Sequence, residues 1–184
     1  MRSPARLRRT YFDCRFGQLH VYQAIPPGGG FDEATPLLCI PGAPGEGRFF
    51  QVLLAPLGAD RSIYAPDLPG SGMSDPAPAP SGPGQHAQAL LDLLDSLRQR
   101  RVDVLAHAAG AEVAAALAAL RPNGLVRRVV CSAAPPGALA AVQKQCSNCD
   151  ELTLAGAADA TISNASAQSQ VPDLIRIFGS AHPG

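Results

Sequence analysis

An α/β domain with a mainly parallel sheet, covered by helices on both faces, is the fold class the sequence predicts. Three observations carry that expectation. Short apolar runs occur along the chain, and Leu37-Leu38-Cys39-Ile40 is apolar at every position, as a strand buried on both faces requires. Helical periodicity fills the intervals, most clearly from Gln85 to Arg100, where Ala87, Leu90, Leu91, Leu94 and Leu97 form one stripe. Several apolar runs open into loops rich in Gly and Pro, including Pro41 to Gly47 and Pro66 to Gly72.

Taken in order, Tyr11 to Phe16 and Gln18 to Ile25 form an N-terminal hairpin turning at Gly17. Leu37 to Ile40 is a buried strand. Phe49 to Leu57 has helical spacing, with Pro56 expected to end it early. Ser62 to Ala65 is the next strand, followed by a Pro-rich loop from Pro76 to Gly84 and the Gln85–Arg100 helix. Val102 to Leu105 is a strand. Ala109 to Leu120 is a helix of high propensity, stopped by Pro122-Asn123-Gly124. Val126 to Cys131 is a strand, Gly137 to Lys144 a short helix, and Leu152 to Ala155 and Leu174 to Phe178 two further strands. No internal repeat occurs and no linker is long enough for a second domain, so residues 1–184 are expected to form one domain.

Composition narrows the function. Lys+Arg and Asp+Glu are both 15, giving zero formal net charge, so the basic excess of a nucleic-acid binder is missing. Hydrophobic residues make up 46% of the 184, enough for a core. No apolar run reaches the roughly 18 residues of a membrane span. The Arg-rich first ten residues are followed by no apolar stretch, which excludes a secretory signal and favours a cytoplasmic protein. Five cysteines are then expected to be reduced. Cys146 and Cys149 form a lone CxxC without a second pair or a neighbouring His, so no metal is expected.

Ligands of an open parallel sheet gather outside the carboxyl ends of its strands. The loops expected there contain Gly42-Ala43, His107-Ala108-Ala109-Gly110, Asp159 and His182. In this order the segments resemble the α/β-hydrolase family over most of the chain. Pro41-Gly42-Ala43-Pro44 is similar to its oxyanion loop, Ala65 to Asp75 to the signature after its fourth strand, and Leu105 to Gly110 to its nucleophile elbow. Leu154 to Asp159 resembles the loop bearing the acid, and Gly179 to Pro183 the loop bearing the base. The resemblance implies a sheet of up to eight strands with an absent or minimal cap, because Ala133 to Asp150 leaves room for one helix. It also implies the catalytic roles. Position 108 would carry the nucleophile, Asp159 would orient His182, and His182 would serve as base and acid. The amides of Ala43 and Ala109 would form the oxyanion hole, with Gly42 and His107 beside the substrate. His107 is expected to pack under the elbow rather than catalyse. No cofactor is implied, and the partner is a small-molecule substrate.

Position 108 departs from the pattern. Alanine has no side-chain oxygen or sulfur, so it cannot attack a carbonyl. Three explanations compete: a deliberate Ser→Ala change, natural loss of the nucleophile, and non-covalent use of His182 and Asp159. Ala106 in place of the usual Gly and Pro41 in place of the usual His favour natural divergence. The function expected is hydrolysis of a small ester, amide or related carbonyl compound, with an inactive ligand- or partner-binding protein as the alternative. The family's usual last helix is missing after His182, and an apolar face left there would permit a homodimer. Asp67 is expected to fix its own loop, Ser71 and Ser74 to be turn residues, and Cys39 and Cys131 to be inert core.

Overall fold

The computed structural model describes residues 4–29, 34–146, 149–151 and 164–179. Its strands are β1 (Arg6–Cys14), β2 (Gly17–Ile25), β3 (Leu37–Ile40), β4 (Ile63–Pro66), β5 (Val102–His107), β6 (Val126–Ser132) and β7 (Cys149–Glu151). The α-helices are α1 (Gln51–Leu57), α2 (Pro83–Ser96), α3 (Gly110–Leu120), α4 (Pro136–Gln145) and α5 (Asn164–Gly179), with a 3-10 turn over Gly47–Phe50 before α1. One sheet holds the strands in the order β1-β2-β4-β3-β5-β6-β7. Strand β2 runs antiparallel to both neighbours, and the pairs from β4 through β7 are parallel.

The period of two along a strand explains the layers. In β3, Leu38 and Ile40 join the core that holds Leu90 and Leu94 of α2 and Leu117 of α3. Leu37 and Cys39 join the opposite core, with Phe50, Leu53 and Leu54 near α1 and Leu174 and Phe178 of α5. All four β3 side chains are buried, so an uninterrupted apolar run was the right signal for this strand. Helix α4 is the only helix between β6 and β7 among the described residues, and it packs on α3. The domain therefore has little cap.

Three expectations change. Leu174 to Phe178 is helical, within α5, and is not a strand. Both periods bury Leu174 and Phe178, but only the helical one adds Val171 and Ile177 to the same packed face while leaving Ile175 outside. Helix α1 runs through Pro56 and stops one residue later, because the proline sits in the last turn with its ring exposed. Strand β1 starts at Arg6, pairing with β2 along its whole length. The expected Leu152–Ala155 strand lies outside the described residues.

A buried ionic cluster fixes α5 to the sheet. Asp103, fully buried on β5, accepts from Arg127 Nε at 2.7 Å and from Arg127 Nη2, and Arg61 Nη1 lies 3.6 Å away. The carboxylate raises the pKa of Arg127 by hydrogen bonding. Arg61 Nη2 also donates to the carbonyl of Phe178 at 3.2 Å, and Arg128 donates to that of Ile177. Cations thus meet the carbonyls at the C-terminus of α5, where the helix dipole favours them.

Candidate active site

Strand β5 ends at His107 and α3 begins at Gly110, leaving Ala108 and Ala109 to make the turn. Ala108 has φ +48°, in the left-handed region that costs an L-residue roughly 1–2 kcal/mol. Its amide donates to the carbonyl of Ser132 at 2.8 Å, and its carbonyl accepts from Ala111 at 3.1 Å. The bend is thus held by β6 on one side and by the first turn of α3 on the other.

Two glycines let β3 and its following loop approach this bend. A Cβ added at Gly110 would lie 2.4 Å from the carbonyl oxygen of Ile40. One added at Gly42 would lie 2.8 Å from Cβ of Ala108 and 2.9 Å from the carbonyl oxygen of His107. The structure therefore brings Gly42 close to Ala108 and to the backbone of His107 and Ala109. Asp159 and His182 lie outside the described residues.

Ala43 and Ala109 are exposed and line one cavity of about 340 Å³, within the roughly 300–1,000 Å³ of ligand pockets. As the residue preceding α3, Ala109 has an amide without an acceptor inside the helix. The same cavity is lined by Ser81, His86 and Glu112. Ser81 Oγ is 2.9 Å from His86 Nε2, and burial lowers the pKa of His86 below its ordinary value. Sequence reasoning missed this pair, since no motif joins a serine in a Pro-rich loop to a histidine five positions on.

His107 points to the other face. Its ring stacks on Phe49 at 4.4 Å between centroids, inside the α1 core, and it is buried. The cavity lining includes neither His107 nor Ala108.

The loop after β4 is organised from within. Asp67 Oδ1 accepts from the Gly47 amide at 2.7 Å, and Oδ2 accepts from Met73 at 3.0 Å and lies 2.9 Å from His20 Nδ1. Both His20 and Asp67 are about 2% exposed. Ser74 Oγ donates to the Asp67 carbonyl at 2.7 Å and accepts from the His20 amide at 2.9 Å. Asp67 and Ser74 therefore shape the loop, as expected. His20 went unnoticed because it sits between Leu19 and Val21 in an apolar strand. Cys39 and Cys131 are fully buried, and burial pushes the Cys39 thiol pKa up.

This strand order, with a left-handed elbow between β5 and α3, defines an α/β-hydrolase core. The model of the alpha/beta hydrolase family matches residues 37–179, and the chain belongs to that family. Among solved structures, the epoxide hydrolase CorEH is 21% identical with a TM-score of 0.63, over 71% of this chain and 44% of that one. The N-acyl homoserine lactonase AidH, complexed with N-butanoyl homoserine, is 24% identical with a TM-score of 0.60, over 70% and 46%. An alpha/beta hydrolase from Novosphingobium aromaticivorans is 28% identical with a TM-score of 0.60, over 69% and 44%. The chain thus spans less than half the length of these structures. No curated protein matches it. Among the described residues, no helix is long and apolar enough to cross a membrane.

Proposed function

We propose that the cleft at the β5–α3 turn is a hydrolase site for a small ester, amide or related carbonyl compound, with its nucleophile position held by Ala108. The observation that carries this reading is the φ of +48° at Ala108. A methyl side chain gains nothing from so costly a backbone, whereas a nucleophile on the same bend would be lifted out of the strand toward a bound carbonyl. Ala43 and Ala109 both line one cavity, which supports an oxyanion-binding role for their amides that does not depend on side chains. Asp159 and His182 are the proposed acid and base.

Ala108→Ser tests the reading. With a p-nitrophenyl ester of short acyl length, the variant should give about one equivalent of burst p-nitrophenol beyond that of the unaltered chain, and His182→Ala should suppress this excess. A folded Ala108→Ser variant with no burst and no hydrolysis above background would overturn it and favour a non-catalytic binding cleft.

A further inference from the structure

Ser81 and His86 have the geometry of a nucleophile and its base. Their Oγ and Nε2 are 2.9 Å apart, on the lining of the cavity that Ala43 and Ala109 share. Helix capping does not explain the contact. The amide of Gly82, which precedes α2, already donates to Gln85 Oε1 at 3.1 Å, and the His86 amide donates to the Gly82 carbonyl at 3.0 Å. The Ser81 hydroxyl is therefore left to the imidazole. Ser81 is exposed to an incoming molecule, while His86 is half-buried. Burial lowers the His86 pKa, which favours the neutral ring a proton acceptor must be at pH 7. Glu112, in the first turn of α3, lies on the same lining.

We propose that Ser81, with His86 as its base, is a second nucleophile of this cleft and acylates with small activated esters even though position 108 is alanine. The idea rests on the reading of the cleft as a carbonyl site. Ser81 Oγ bonds to the ester carbonyl carbon as its proton passes to His86 Nε2. The tetrahedral species collapses, the bond from carbon to the leaving oxygen breaks, and that oxygen takes the proton from His86. Water then attacks the acyl-serine as its proton passes to His86, the bond from carbon to Ser81 Oγ breaks, and Oγ takes that proton back from His86, releasing the carboxylic acid and restoring Ser81. Ester and water are consumed, acid and alcohol are formed, and no other reactant enters.

A fluorophosphonate bearing a short alkyl chain is the probe, and peptide mass spectrometry locates the adduct. The unaltered chain should be labelled at Ser81, and Ser81→Ala should lose that adduct. His86→Gln, which keeps a hydrogen-bonding side chain beside Ser81, should slow labelling by about 100-fold or more, the contribution expected of a positioned general base. No adduct at Ser81 in the unaltered chain, or one formed equally fast in folded His86→Gln, overturns the proposal. Labelling of Ala108→Ser separates the two ideas. An adduct mapped to position 108 with none at Ser81 leaves the elbow reading standing and sinks this one. An adduct at Ser81 with none at position 108 does the reverse.

Discussion

Gly42 and Ala108 approach so closely that a methyl group on the first would lie 2.8 Å from the methyl of the second. The loop after β3 and the elbow after β5 are therefore packed as one unit. Two parallel strands in register, with Ile40 opposite Ala106, deliver them to the same place.

Gly42→Ala should disturb that unit. The added carbon also meets the His107 carbonyl oxygen at 2.9 Å, so the backbone must give. A loss of about 1–3 kcal/mol is expected, the usual cost of overpacking, read as a lower urea midpoint at unchanged slope. An unaltered midpoint would mean that the two loops are not packed in solution.

Ala108→Gly should act in the opposite sense. Glycine accepts φ +48° without the Cβ penalty, while its freer unfolded chain returns part of the gain. A net stabilisation of up to about 1 kcal/mol is expected by urea denaturation. A clear loss of stability would show that the elbow is not left-handed.

Asp67→Ala removes the acceptor for the Gly47 and Met73 amides and the partner of His20, all within 3.0 Å in a buried setting. The expected cost is about 3 kcal/mol, with faster hydrogen exchange at the Met73 amide. A change at the level of an exposed carboxylate would refute the buried network.

Acid sensitivity should include a small contribution from Asp92. Its side-chain hydrogen bond with Arg15 lowers its pKa below the ordinary 3.8, with Oδ1 2.8 Å from Arg15 Nη2. A depressed carboxylate contributes stability that is complete above its unfolded pKa and lost as the pH falls through the folded value. Because Arg15 is 43% and Asp92 24% exposed, the pair contributes less than about 1 kcal/mol. Asp92→Asn should lower stability slightly at pH 7 and leave it unchanged near pH 2. Equal effects at both values would contradict the ion pair.

The elements could be placed from sequence where local pattern and burial agree. Leu37–Ile40 is apolar throughout and is the buried strand β3 within those bounds. Gln85 to Arg100 carries a helical stripe, and α2 occupies Pro83–Ser96. Leu174–Phe178 failed because five residues of mixed apolar character satisfy both periods, and only packing against α1 distinguishes them. At the candidate site, the bend at Ala108 and the approach of Gly42 to it were legible because a tight strand-to-helix turn and a close backbone contact call for small residues. Ser81 and His86 were not, because their contact depends on how a loop enters α2.

From the sequence alone follow the alternation of strands and helices, the loops at the strand ends and the absence of an attacking atom at position 108. Each depends on residue identity or on a period within one segment, and no folding can place an oxygen on alanine. Tertiary structure alone decided that the β3 loop meets the elbow, that Ser81 reaches His86, that His107 turns toward Phe49 and that Asp67 closes around His20. Those contacts join residues whose spacing in the chain carries no signal of their distance, and packing and hydrogen-bond geometry select them only once the sheet has assembled.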